Sequence, residues 1–204
     1  MGNVFLKNII ADENLYIGDF TYAHVDHLEG DQILKSLVPY SFADKKLIIG
    51  KFCSIGWKVQ FISPYANHQT TSFTTYPFWH IFSTHANIEP WLEGASKKGD
   101  TVVGNDVWFG RESMVMPGVQ IGDGAIIAAR ATVAENVPPY ALVAGNPGKI
   151  VKYRFSPEVI EKLLAIQWWN WDLEKVILHH AVLMGNDLEA LSRLAHPNLQ
   201  HEKI

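Results

Sequence analysis

Cysteine is nearly missing from this chain: Cys53 stands alone among 204 residues. An internal disulfide is therefore excluded, and the count suits a reducing compartment. An excess of basic charge is missing too, since 17 Lys and Arg face 21 Asp and Glu, for a net charge of -4 at pH 7. A basic face for nucleic acid is not expected. No apolar run approaches the ~20 residues that span a bilayer. The opening MGNVFLKNIIADEN has neither the charged leader nor the long apolar stretch of a secretory signal. Leu6 stands where a myristoylation motif needs Ser or Thr. The expectation is a cytoplasmic protein with no nucleic-acid or membrane partner. At 48% hydrophobic and 19% charged, the composition is that of an ordinary globular protein. The length allows one good core, with or without a small appendage.

What the chain does have is a period of six. Residues 103–138, cut into sixes, read VGNDVW, FGRESM, VMPGVQ, IGDGAI, IAARAT and VAENVP. Each block opens on an apolar residue, most carry Gly or Ala second, and the fifth place is Val, Ser or Ala. IGKFCS and IGWKVQ at 49–60 repeat the pattern, and IGDFTY at 17–22 fits it. This period matches neither an amphipathic helix nor an alternating strand. It predicts a mainly β solenoid: three sixes make a triangular coil, and stacked coils bury a core that one coil cannot. Gly belongs where the backbone turns sharply or packs close.

The repeat has two interruptions and an end. Residues 1–48 read as irregular around IGDFTY. Residues 63–100 break the pattern with an aromatic-rich excursion, too long to be structureless in a compact domain without a function. The regular coils run over 101–145. Helical signals then take over: Ser156 as N-cap, Pro157 in the first turn and Glu158 behind it. A second helix is expected from Asp172 to near Gly185, and a third from Asp187 to a stop at Pro197. The organisation expected is a β-helix domain over 1–155, with excursion 63–100, and C-terminal helices over 156–204 that cap the solenoid, because an open coil edge invites strand addition.

Several runs are more particular than the repeat: LIIGKFCSIG at 47–56, NH at 67–68, TYPF at 75–78 and GDTVVGNDVWFG at 99–110. MPGVQIGDGAIIAA, VPPYALVAGNPGK at 137–149 and QWWNWDL at 167–173 continue them. On these runs, over roughly residues 15–175, the chain resembles the xenobiotic acetyltransferases. That hexapeptide-repeat group includes streptogramin A and type B chloramphenicol O-acetyltransferases. The resemblance implies a left-handed coil, although parallel crossovers are normally right-handed. It also implies a homotrimer with active sites between subunits, acetyl-CoA as co-substrate and no metal. Departures exist: SPYANHQ stands where the streptogramin enzymes resemble NGANHR, Trp57 replaces a proline, and residues 22–47 match loosely.

Acetyl transfer to a hydroxyl needs a base, a donor to the oxyanion and two substrates held together. His68 matches the family's catalytic histidine, and imidazole suits the first task. Trp108 corresponds to the residue lining the thioester end of the cleft, and packing at a subunit seam is open to it as well. Gly110 and Ala129 are small enough to let pantetheine lie along the backbone, although repeat geometry explains them equally. Asn146 and Pro147, with Lys149, Lys152 and Arg154, are candidates for the CoA phosphates; a solvated charge run is the alternative. Tyr22, Asp26 and Tyr40 are candidates for the acceptor side, and Met114, Met116 and Pro117 for an apolar wall there, or for core. Cys53 sits where the repeat wants a small buried residue. His80 and His85 are spaced like a histidine pair in hexapeptide-repeat carbonic anhydrases, but no third histidine falls in the coils to complete a zinc site. The functional expectation is an acetyl-CoA-dependent O-acetyltransferase acting on an antibiotic-like alcohol. A sugar or metabolite acetyltransferase and a non-catalytic trimer are the alternatives.

Overall fold

The computed structural model describes residues 2–9, 12–25, 27–28, 31–68, 70–82, 93 and 97–195. Strand β1 (Gly2–Phe5) precedes β2 (Leu15–Ile17) and β3 (Tyr22–Val25), and helix α1 (Asp31–Leu37) follows. The next coil is β4 (Leu47–Ile49), β5 (Ser54–Ile55) and β6 (Gln60–Phe61). After the excursion, which holds a short helix α2 (Phe78–Ile81), come β7 (Thr101–Val103), β8 (Trp108–Phe109) and β9 (Met114–Val115). A further coil holds β10 (Gln120–Ile121), β11 (Ile126–Ile127) and β12 (Thr132–Val133); β13 (Ala141–Ala144) and β14 (Lys149–Tyr153) complete the series.

Successive sides of each coil fall into separate sheets, ordered β1-β3-β5-β8-β11-β13-β14, β10-β7-β4-β2 and β12-β9-β6. The register is one coil per step: Met114 pairs in parallel with Gln60 on one side and Thr132 on the other. β1 runs antiparallel to β3 and covers that edge of its sheet.

The six-residue phase is a burial phase. Val103, Phe109, Val115, Ile121, Ile127 and Val133 are all at most 2% exposed. Each such side chain contributes about 1.5–3 kcal/mol by leaving water. The fifth-place residues Val107, Ser113, Val119, Ala125 and Ala131 fill the gaps between them and are buried as well.

The structure separates the two reasons offered for glycine. The left-handed backbone falls at the fourth place of every block but VAENVP, and mostly not on glycine: Phe52, Lys58, Asp106, Glu112 and Arg130 have φ between 54 and 60°. The second-place glycines serve close approach instead. A Cβ on Gly110 would lie 2.4 Å from the Ala129 nitrogen, and one on Gly50 2.5 Å from the Gly104 oxygen. The coils stack at strand spacing, so one side chain at that corner would push them apart.

Residues 1–48 are more regular than expected. The solenoid already begins at Leu15, because β2 and β3 pair with β4 and β5. The third side of this first coil is not a strand. Ile33 and Leu37 of α1, with Phe42, turn into the core there, and α1 packs against β6. A helix with two apolar residues four apart closes the coil as a strand would, which is why a search for sixes misses it.

The chain divides into two compact units, residues 1–152 and 153–204. In the second, α3 (Pro157–Ile166) has Ser156 as N-cap and ends on Gln167 in the left-handed region. The stretch expected as one helix breaks into α4 (Leu173–Leu178) and α5 (His180–Leu183). There the His180 imidazole occupies the Ile177 carbonyl at 2.8 Å, competing with the helical ladder. In α6 (Leu188–Ala195), Asp187 accepts the Ala190 N–H at 2.9 Å, and α6 packs on α3. Pro197 lies outside the described residues. No helix among the described residues is long and apolar enough to cross a membrane.

Candidate active site

His68 stands at the root of the excursion, just past β6. Ser63, fully buried, caps a 3₁₀ turn over Pro64–Ala66 and accepts the Tyr65 N–H at 3.1 Å. Asn67 is extended, so the chain leaves the turn and presents His68 at the surface. Further along, Ser72 Oγ donates to the Thr74 carbonyl at 2.6 Å, and the Tyr76 N–H donates to Thr74 Oγ1 at 3.1 Å. These local turns bring the Thr75 carbonyl to 2.7 Å from His68 Nδ1. A carbonyl only accepts, so Nδ1 carries the proton. In the neutral ring the lone pair is then on Nε2, the tautomer a general base requires.

His68 lines a cavity of about 420 Å³. Around it stand Tyr40, Tyr65 and Tyr76, the hydroxyl residues Ser72, Thr74 and Thr75, and His80. No Asp or Glu lines it among the described residues. The nearby carboxylate of Asp44 accepts the Tyr65 hydroxyl and meets Lys45 Nζ at 3.1 Å. Tyr65 and Lys45 hold Asp44 below its ordinary carboxylate range, and the same bond pushes the Tyr65 phenol up to about 12.

Of the predicted residues, this cavity unites His68 and Tyr40. Tyr22 and Trp108 lie elsewhere, on one column of the first sheet: Tyr22 pairs with Ser54, and Ser54 with Trp108. Two strand spacings, about 10 Å, separate them. The Trp108 indole is 54% exposed on the outer face. Gly110 is buried beneath the exposed Ala129, and a Cβ there would meet the Ala129 backbone. Asn146 and Pro147 are exposed after β13, and Lys149 pairs with Glu135 at 2.7 Å. Lys152 and Arg154 are exposed. Met114 is half-buried on β9, Met116 packs half-buried against the core, and Pro117 is buried. Asp26 and His85 lie outside the described residues.

Sequence reasoning missed Tyr65, Asp44 and the Thr75 carbonyl. Only TYPF, as a family run, pointed near the last of them. Trp57, a departure from the family, carries Lys58 Nζ and the Arg111 guanidinium each 4.2 Å from its ring centroid. Cys53 is fully buried, its Sγ donating to the Gly104 carbonyl at 3.2 Å, and burial pushes its thiol up to about 12. A thiol so held is a poor nucleophile. No group of three or more His, Cys, Asp or Glu among the described residues is arranged to hold a metal ion.

Stacked coils of six define a protein of the hexapeptide-repeat class. The profile described as "Bacterial transferase hexapeptide (six repeats)" matches residues 100–135. A "Probable macrolide acetyltransferase" of Lysinibacillus sphaericus is 52% identical over 67% of this chain and 76% of its own. A "Virginiamycin A acetyltransferase" of Staphylococcus aureus is 45% identical over 93% of this chain and 85% of its own. A "Chloramphenicol acetyltransferase" of Klebsiella aerogenes is 38% identical over 92% and 90%. The chain belongs to the xenobiotic acetyltransferase family of hexapeptide-repeat acyltransferases, whose fold is the left-handed parallel β-helix. It is an enzyme, an acetyltransferase.

Proposed function

We propose that this acetyltransferase moves the acetyl group of acetyl-CoA directly onto a hydroxyl of an antibiotic-like small molecule, of the streptogramin A or chloramphenicol type, with His68 as general base. The observation that carries the reading is the Thr75 carbonyl on His68 Nδ1, which leaves Nε2 to take a proton. The acceptor hydroxyl gives its proton to Nε2 as its oxygen attacks the thioester carbonyl. The tetrahedral intermediate collapses, the carbon–sulfur bond breaks, and the departing CoA sulfur takes the proton back. No covalent enzyme intermediate is needed, in keeping with the buried Cys53 thiol.

The relatives named for virginiamycin A, chloramphenicol and macrolides support the acceptor class. So does the cavity, whose three tyrosines suit a bulky alcohol with apolar surface. Tyr40 and Tyr22 are assigned to the acceptor, with Met114 and Met116 as apolar surface. Trp108 is assigned to the thioester end, Ala129 over Gly110 to pantetheine, and Asn146, Pro147, Lys149, Lys152 and Arg154 to the nucleotide end. The active form is a homotrimer working in the cytoplasm. The exposed, mutually packed rings of Tyr76, Phe78 and Phe82 support burial against another copy.

The test is product identity. Purified protein is given acetyl-CoA with virginiamycin A, chloramphenicol or glucosamine, and the products are read by mass spectrometry. One acetyl group on an antibiotic hydroxyl is expected. Acetylated glucosamine with both antibiotics untouched would overturn the reading.

A further inference from the structure

Tyr65 lines the cavity beside His68. Both ends of its bond to Asp44 are fixed before they meet. On one side, Phe42 is 2% exposed and anchors a tight turn in which the Lys45 N–H donates to the Phe42 carbonyl at 2.9 Å. Within that turn Ala43 takes the left-handed conformation, φ 53°, and its N–H donates to Ser41 Oγ at 3.1 Å. On the other side, the buried Ser63 holds the Tyr65 N–H. The two sides are tied twice: Ser63 Oγ donates to the Ser41 carbonyl at 2.6 Å, and the Tyr65 hydroxyl donates to Asp44. Tyr40 lies one residue before the first tie, and His68 three residues after the second. These residues, far apart in sequence, line one cavity.

We propose that the Tyr65–Asp44 pair is a positioning and specificity element for the acceptor: it holds the segment carrying Tyr40 against the turn that leads to His68, and so sets which alcohols fit between them. This rests on the assignment of the cavity to the acceptor. A hydrogen bond between preorganised ends needs little ordering when it forms, so its loss appears as a looser cavity. The Ser63–Ser41 tie remains in its absence, and the chain still folds. Neither Tyr65 nor Asp44 moves a proton in the reaction; both act through Tyr40 and His68.

Steady-state kinetics with virginiamycin A and chloramphenicol test the pair. Tyr65→Phe keeps the ring and removes the hydroxyl. It raises KM for the acceptor about tenfold, the loss falling there rather than on kcat, while KM for acetyl-CoA moves less than about twofold. Asp44→Ala, which removes the acceptor, has an effect of the same size, and the double variant is no worse than either single one, because both remove one bond. An unchanged acceptor KM in Tyr65→Phe, or losses that multiply in the double variant, overturns the proposal. Equal rises in both KM values also overturn it, since a general structural defect produces that pattern. His68→Ala, run alongside, tells which reading fails. If His68→Ala retains native turnover, or the native protein acetylates neither antibiotic, the cavity assignment itself is wrong. If His68→Ala is inactive and Tyr65→Phe is native-like, only the role of the pair is wrong.

Discussion

Gly110→Ala separates two explanations of the same residue. A small residue at this corner is wanted either by the stacking of coils or by a ligand lying along the backbone. The added Cβ would sit 2.4 Å from the Ala129 nitrogen, 2.8 Å from the Ala128 carbonyl carbon and 2.9 Å from the Ala129 Cα. All three are backbone atoms, so no side chain can swing aside. An ordinary contact requires the third and fourth coils to part by about 1 Å here. The Gly110 N–H donates to the Ile127 carbonyl at 2.7 Å and the Arg130 N–H to the Arg111 carbonyl at 2.9 Å. Both bonds would stretch past useful length. At about 1 kcal/mol each, with a further 1–2 kcal/mol of overpacking, the substitution costs about 3–4 kcal/mol. For a chain of this size that is a fall in Tm of about 6–16 °C. Thermal and urea unfolding of the two proteins measure it. A loss below about 1 kcal/mol, accompanied by weakened acetyl-CoA binding, would refute the stacking argument and make ligand approach the reason for the glycine.

Three other outcomes follow from buried or bonded groups. Ser113 Oγ is buried with no hydrogen-bond partner among the described residues, so Ser113→Ala, which matches the repeat at Ala125 and Ala131, raises stability by about 1 kcal/mol in urea denaturation. A loss of stability there would mean that the hydroxyl is satisfied. Cys53 stays unreactive to a thiol reagent at pH 8 and reacts once the protein is unfolded, because burial holds the thiol up at about 12; rapid labelling of the native protein would contradict its place in the core. The Tyr65 phenol is raised by its bond to Asp44 from 10.0 to about 12. A raised group stabilises fully below its unfolded value, so this contribution is present below pH 10 and is lost as pH rises towards 12. In an absorbance titration Tyr65→Phe removes one late-ionising tyrosine; an unchanged titration would show that the bond is not made.

The solenoid was legible because its signal is a burial phase carried by side-chain type. Each opening Val, Ile or Phe of a block is an inward residue, and the reading needs no knowledge of neighbours. The first coil was only half legible: IGDFTY shows its phase, but its third side is built by Ile33 and Leu37 on a helix, which has a different period. Glycine was read as turn or close approach together. The side chain does not tell which, since the left-handed corners accept Phe52 and Arg130. At the candidate site, the NH and TYPF runs single out His68, and the structure shows those two runs meeting through the Thr75 carbonyl. The partner of His68 was not legible, because Thr75 acts through a backbone carbonyl that every residue possesses. Tyr65 and Asp44 were missed for a related reason. Their bond joins two turns, and neither turn carries a pattern that names the other.

The most direct test of the account is the rate of acetyl-CoA-dependent thiol release by His68→Ala beside the native protein, with virginiamycin A or chloramphenicol as acceptor. General-base catalysis is worth about 10²–10⁴-fold. The account predicts a fall of that size in kcat/KM with acetyl-CoA binding retained. A variant that keeps its rate within about tenfold of native would contradict it, and would place the proton transfer on a group other than His68.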